Sequence, residues 1–147
     1  MKVWNLSKRP KEEAQPILDR VRQLLFHELP TDDLTVIVID DPKIRRTWEG
    51  RAYYGDMKPK GFPVDTEYNA VVRLNPRDSI FPTMERYGVT APRFLYRCWK
   101  DALTHGLAHE LAHIRSYMTD TSDDWTEVPI EYLSDRVVTR LRQEGLI

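Results

Sequence analysis

Residues 103–118 read LTHGLAHELAHIRSYM, and this stretch decides how the rest of the chain is interpreted. It contains the pattern H-E-x-x-H at His109, Glu110 and His113. Residues four apart lie one above the other on a helix face, so both histidines can offer imidazole nitrogens to one tetrahedral metal ion. Glu110 is rotated by about 100° from His109 and can reach a water on that metal. The pattern therefore predicts a zinc-dependent hydrolase.

The apolar residues around the pattern predict one long helix over about residues 93–118. They form a stripe with intervals of 4, 4, 3 and 4 residues, which is the period of an amphipathic helix. On a helical wheel the stripe lies roughly opposite the two histidines. We therefore expect one face to enter the core and the other to present metal ligands. The stripe consists of Leu103, Leu107, Leu111, Ile114 and Met118.

The patterning of the remaining chain predicts an α+β fold. Amphipathic spacing indicates helices, and β-branched runs indicate strands. The expected elements are helices over about residues 11–29 and 126–143 and strands over residues 34–39, 51–54 and Tyr68–Leu74. We expect a single domain over residues 1–147, with a small mixed sheet that has an edge strand and packs on the N-terminal helix.

A catalytic zinc site takes three protein ligands and keeps its fourth position for water. No histidine follows His113, so we expect the third ligand to be a carboxylate on the last helix. Glu131 is the best candidate, and Asp135, one turn later, can accept the free N–H of a ligand histidine. Glu127 is the alternative ligand, although its place at the helix start also suits capping. The competing interpretation of Glu131 and Asp135 is a solvated helix face.

His105 precedes His109 by one helical turn but is not expected to share its metal ion. His105 and His113 are eight residues apart, about 12 Å along a helix, which is too far for two Zn–N bonds of about 2 Å. His105 is therefore expected to line the cleft or to form a hydrogen bond nearby. Cys98, on the same predicted helix, is expected to be a small core residue.

H-E-x-x-H followed by a separate E-x-x-x-D resembles the gluzincin branch of zinc metallopeptidases, the thermolysin-like clan. The similarity is good over residues 109–135 and extends elsewhere only to the order of elements. In size the chain is closest to minimal gluzincins and to compact peptidase domains of mobile elements. The resemblance implies a zincin-like domain that uses Zn²⁺ to hydrolyse a protein or peptide substrate. It implies His109, His113 and Glu131 as ligands, Glu110 as catalytic glutamate and Asp135 as support.

The resemblance also implies residues that contact substrate. Gluzincins carry an edge strand that pairs with the substrate backbone and often contains Asn-Ala, and Asn69 and Ala70 lie in a predicted strand. Larger members stabilise the oxyanion with a downstream His or Tyr, for which Tyr117 and Tyr132 are the candidates. If neither enters the cleft, we expect activity to be low or partner-dependent. Metzincins and SprT-like proteins take a third histidine after the pattern, so both families are disfavoured.

Two other classes of function stay open. A latent or inactive zincin-like domain can serve as a binding or regulatory module, which a fourth protein ligand would favour. Asp120, Asp123 and Asp124, between the last two helices, are candidates for that ligand. A nucleic-acid-binding module is less favoured, because the basic cluster within residues 43–60 is better explained as solvated surface. The overall charge is balanced, with 22 Lys and Arg against 23 Asp and Glu.

Composition is typical of a soluble globular protein, with 41% hydrophobic and 31% charged residues. The single cysteine excludes an intrachain disulfide. No segment resembles a secretory leader or approaches the roughly 20 apolar residues of a membrane span. We therefore expect a cytoplasmic protein without a membrane or nucleic-acid partner; its oligomeric state is not indicated.

Overall fold

The computed structural model describes residues 1–86, 91–119 and 127–147, without the side chains of residues 56, 127 and 128. It is an α+β fold with three helices and a mixed sheet, as predicted. In chain order the helices and strands are β1 (Lys2–Asn5), α1 (Lys11–Phe26), β2 (Leu34–Asp40), β3 (Trp48–Tyr53), β4 (Tyr68–Leu74), β5 (Thr83–Glu85), β6 (Phe94–Tyr96), α2 (Trp99–Met118) and α3 (Glu127–Gln143).

The main sheet has the strand order β1-β2-β4-β3. β1, β2 and β4 run parallel, whereas β3 runs antiparallel to β4 and forms one edge. β2 is rich in Val and Ile and is buried from Leu34 to Val38, as expected for a parallel strand covered by helices. β5 and β6 form a separate antiparallel pair. The edge strand β3 lies next to α2, which carries the H-E-x-x-H pattern.

β4 has the predicted bounds but not the predicted place in the sheet. It pairs with β2 on one side and with β3 on the other. Asn69 and Ala70 are fully buried, and the Asn69 side chain accepts a hydrogen bond from the Thr66 hydroxyl and donates one to the Thr66 carbonyl. The expectation that Asn69 and Ala70 lie on an edge strand is therefore wrong, because β3 covers that side of β4.

α2 is the central helix and contacts α1, α3, β3 and β4. Its predicted stripe is in the core: Leu103, Leu107, Leu111 and Ile114 are fully buried. The opposite face is buried as well, because β3 lies over it. His109 and Glu110 are only 6% and 4% exposed, so the face that carries the predicted ligands is covered by β3 and is not open to bulk solvent. None of the described helices is long and apolar enough to cross a membrane.

α2 begins at Trp99, six residues later than predicted, because Phe94–Tyr96 pairs with β5 instead of continuing the helix. Asp101 defines this start. Its buried carboxylate accepts the backbone N–H of Arg97 at 2.7 Å and a bond from Arg142 at 2.8 Å. A carboxylate in the first turn also interacts favourably with the helix dipole. Arg142 thereby joins the end of α3 to the start of α2.

Candidate metal centre

A cleft of about 280 Å³ lies between the edge strand β3 and α2. It brings together all three residues of the H-E-x-x-H pattern. A larger groove of about 420 Å³ lies between α1 and α3, but its lining contains no histidine or carboxylate. The smaller cleft is therefore the candidate site. Its lining residues are Gly50, Arg51, Ala52, Tyr54, Met57, His109, Glu110 and His113.

His109 and His113 are spaced as two ligands of one tetrahedral ion would be. Their Nε2 atoms lie 3.2 Å apart. Two nitrogens bound to one zinc at about 2 Å with a tetrahedral angle lie about 3.3 Å apart. The ring centroids are 5.0 Å apart and the ring planes are inclined by 64°, so the rings meet at their edges rather than stacking. The one-turn spacing on α2 is sufficient to produce this geometry.

The Glu110 side chain lines the cleft and lies against Gly50 of β3. Its Oε1 lies 4.0 Å from Nε2 of His109. A Cβ atom at Gly50 would come within 2.8 Å of Oε1 of Glu110, so the missing side chain at Gly50 makes room for the carboxylate. Gly50 was not predicted from the sequence. The sequence did contain one sign of it, a glycine next to a predicted strand. Glycine in a strand often marks a place where another group approaches the backbone closely.

Glu131 is fully buried and lies behind the His109 ring. Its Oε1 is 2.6 Å from Nδ1 of His109, and its Oε2 is 3.3 Å from Nε2 of His105. Both are close polar contacts rather than aligned hydrogen bonds among the described residues. Burial excludes the solvated-face interpretation of Glu131. A carboxylate at Nδ1 is placed to orient a ligand histidine and to fix its tautomer.

Asp135 was predicted to hold that supporting position, which Glu131 takes in the structure. Asp135 lies one turn further along α3 and is half-buried. Burial raises the pKa of its carboxyl group, against the opposing effects of Arg142 and Arg136. The predicted pairing of Asp135 with a ligand histidine is therefore wrong, because the way α3 packs on α2 turns Glu131 toward the ring instead.

Within residues 1–86, 91–119 and 127–147, no three His, Cys, Asp or Glu side chains are grouped so that they could hold one metal ion. As placed, Glu131 faces Nδ1 of His109 rather than the two Nε2 atoms. The alternative ligand, Glu127, is the first residue of α3, but its side chain lies outside the described part of the structure. Asp120, Asp123 and Asp124 also lie outside it.

His105 is buried behind the cleft and does not line it. Its Nδ1 lies 2.9 Å from the hydroxyl of Tyr96, which accepts the indole N–H of Trp48 at 3.2 Å. Burial, with a smaller effect of His109, lowers the pKa of His105 to about 3, so the ring is neutral near pH 7. The Trp48 ring packs against the rings of His105 and His109, with centroid distances of 5.6 and 5.4 Å respectively.

The two tyrosines predicted to stabilise the oxyanion are both exposed. Tyr117 stacks on Tyr54 with a centroid distance of 4.4 Å. Tyr54, rather than Tyr117 or Tyr132, is among the residues that line the cleft. Tyr54 was not predicted, because its place in the cleft depends on how β3 and α2 pack. Tyr117 thus supports the wall of the cleft through Tyr54.

Comparison with known proteins found no family model, no curated protein and no solved structure that matches this chain.

Proposed function

We propose that this protein is a zinc-dependent endopeptidase of the gluzincin type. The observation that carries the proposal is the 3.2 Å separation of the Nε2 atoms of His109 and His113, with Glu110 beside them in one cleft. The edge strand β3 forms a wall of that cleft, which suits an extended peptide as substrate. The H-E-x-x-H pattern supplies the chemical link, since the nitrogen pair can hold zinc and the glutamate can move a proton.

His109 and His113 are the proposed nitrogen ligands, and two carboxylates compete for the third position. Glu131 would reach the ion only after its carboxylate turns away from Nδ1 of His109. Glu127 lies one turn earlier on α3 and would leave Glu131 in its place behind the ring. In the second arrangement Glu127 is the ligand and Glu131 is the supporting acid. This is the predicted pair of roles, moved one helical turn toward the start of α3.

The proposed reaction is hydrolysis of a peptide bond. His109 and His113 would hold the zinc ion, which would supply a water with a pKa of about 7 and a positive charge next to the scissile carbonyl. Glu110 takes a proton from water in the cleft and passes it to the leaving amine. The low exposure of Glu110, at 4%, limits competition from bulk solvent. β3 is proposed to pair with the substrate backbone, as the edge strand of gluzincins does.

Metal analysis tests the ligand pair. We expect about one zinc ion per chain in the purified protein, and loss of that zinc in His113→Ala because a two-ligand remnant binds weakly. His27→Ala is the matched control, since His27 ends α1 far along the chain from the pattern. Stoichiometric zinc retained in His113→Ala would contradict the assignment.

Peptide digestion tests the catalytic glutamate. Glu110→Gln should keep zinc while hydrolysis falls by about 10²–10⁴-fold, the usual worth of a general base. Cleavage of a mixed peptide library, followed by mass spectrometry, measures the loss. Glu12→Gln, an exposed position on α1, is the control. Equal cleavage by wild type and Glu110→Gln would refute the mechanism.

Zinc titration of Glu127→Gln and Glu131→Gln separates the two candidate carboxylates. The variant that loses the ligand should no longer bind zinc stoichiometrically. The variant that loses only the group behind His109 should still bind zinc, about 10–100-fold more weakly. If both variants bound zinc with wild-type affinity, neither Glu127 nor Glu131 would be a zinc ligand.

A latent or inactive zincin-like binding module is the second candidate function. It is favoured by the absence, among the described side chains, of a third donor grouped with His109 and His113. A protein that binds zinc stoichiometrically but cleaves no member of the peptide library would support this alternative over the enzyme.

A further inference from the structure

A chain of polar contacts leads from the edge strand to the back of His109. Trp48 contacts Tyr96, and Tyr96 contacts His105, with separations of 3.2 and 2.9 Å. His105 then contacts Glu131 at 3.3 Å, and Glu131 contacts His109 at 2.6 Å. All five side chains are buried, which holds the chain away from solvent. It joins β3, β6, α2 and α3 at one point behind the cleft.

Trp48 fixes the first bond of this chain, because an indole nitrogen only donates a hydrogen bond. The Tyr96 oxygen accepts that bond, and its own proton is then available to Nδ1 of His105. A neutral imidazole that accepts at Nδ1 carries its proton on Nε2. That proton faces Glu131, which lies 3.3 Å away.

Glu131 completes the chain, since an ionised carboxylate only accepts hydrogen bonds. Its second oxygen lies 2.6 Å from Nδ1 of His109. Two lone pairs would repel each other at that distance, so one proton lies between them, and we place it on Nδ1 because an imidazole nitrogen is a stronger base than a carboxylate. The last torsion of a glutamate is soft, so a small rotation aligns both contacts. His109 is then the Nδ1–H tautomer, and its Nε2 lone pair faces His113 and the cleft.

We propose that Tyr96 and His105 are positioning residues for His109. Through Glu131 they hold the proton on Nδ1 and fix the ring orientation, which keeps the Nε2 lone pair available in the cleft. The consequence for metal affinity rests on the proposed zinc site. The tautomer assignment does not, because it follows from contacts within the metal-free chain.

Imidazole nitrogen NMR of the isotope-labelled, metal-free protein tests the tautomers directly. We expect His105 to carry its proton on Nε2 and His109 to carry its proton on Nδ1. His105→Gln assigns the His105 signals by their disappearance. The opposite tautomer at either histidine would overturn the proposal, whatever the result of zinc binding.

Tyr96→Phe removes the hydroxyl and keeps the ring. We expect the His105 signals to show mixed tautomers and the zinc affinity to fall by about 10-fold, near the lower end for groups that orient metal ligands. Tyr53→Phe is the matched control, because Tyr53 also lies on a strand and its ring packs on Phe62 instead. A purely structural role of Tyr96 would lower the unfolding temperature without changing the tautomers, and that result would contradict the proposal.

Two substitutions at His105 add a rescue test. Glutamine retains an N–H that can donate to Glu131, whereas leucine has similar bulk and no donor. His105→Leu should therefore weaken zinc binding and the Nδ1–H preference of His109 more than His105→Gln does. Equal effects would overturn the proposal. If the wild-type protein binds no zinc, the proposed function fails, but the tautomers of His105 and His109 still decide the positioning role.

Discussion

At the scale of single residues, Gly50 determines where the proposed base can lie. A Cβ atom there would be 2.8 Å from Oε1 and 2.9 Å from Cγ of Glu110. Glu110 ends in a flexible carboxylate that can turn aside, whereas the Val71 carbonyl oxygen, 3.0 Å from the new Cβ, must shift slightly; Gly50→Ala should therefore displace the base at a modest cost in stability. We expect kcat/KM for peptide hydrolysis to fall by about 100-fold, the effect of a misplacement of about 1 Å.

The zinc content of Gly50→Ala separates this explanation from general damage. Neither His109 nor His113 is among the nearest atoms to the new methyl group, so zinc binding should match wild type. Loss of zinc together with activity would mean that α2 itself had moved. Unchanged hydrolysis would mean that Glu110 does not act from this position.

Single residues also show how far local sequence predicts the site. The spacing of His109 and His113 could be predicted, because four residues make about one helical turn whatever the surroundings. The exchange of roles between Glu131 and Asp135 could not. Both carboxylates lie on α3, and which of them meets His109 depends on how α3 is rotated against α2. That rotation is set by the whole interface between the helices.

At the scale of elements, the contact between α2 and β3 depends on Gly106. A Cβ atom there would lie 2.9 Å from two ring atoms of Trp48 and 3.1 Å from Cγ1 of Val72. Helix propensity alone favours Gly106→Ala by about 1 kcal/mol. Overpacking a filled core costs about 1–3 kcal/mol, and the buried indole ring cannot turn aside easily. We therefore expect Gly106→Ala to lower the free energy of unfolding.

Urea denaturation measures this change as a lower midpoint at an unchanged slope. Thr139→Ala on the exposed face of α3 is the control, because it raises helix propensity without adding a methyl group to a contact. We expect the control to be neutral or slightly stabilising. A higher midpoint for Gly106→Ala would show that α2 and β3 separate more easily than their packing implies.

Strand order is the part of the fold that the sequence could not supply. The β-branched runs predicted β2 and β4 well, because buried strands select Val and Ile locally. The identity of the edge strand depends on which strands pair, and local patterns do not specify that pairing. The residues of β6 were predicted to belong to a helix, because their strand partner could not be identified from the sequence either. Its residues become a strand only when Thr83–Glu85 pairs with them.

At the scale of the whole molecule, one ion cluster ties the first helix to the end of the last. Glu144, just after α3, receives two bonds from Arg20 of α1, at 2.8 and 2.6 Å. Arg140 adds a third bond at 2.8 Å. The bonds from Arg20 and then Arg140 lower the pKa of the Glu144 carboxyl to about 2. α1 and α3 are thereby joined across 124 positions of the chain.

This cluster predicts a loss of stability in acid. The pKa of Glu144 lies below its ordinary value of 4.5 in the folded protein, so its contribution is complete above about pH 4.5 and disappears as the pH falls toward 2. The difference in unfolding temperature between wild type and Glu144→Gln should therefore be constant from neutral pH to about pH 5 and shrink below it. Thermal unfolding of both proteins from pH 7 to about pH 2 measures this difference. A difference that stays constant or widens in acid would mean that Glu144 does not hold α1 and α3 together as an ionised carboxylate.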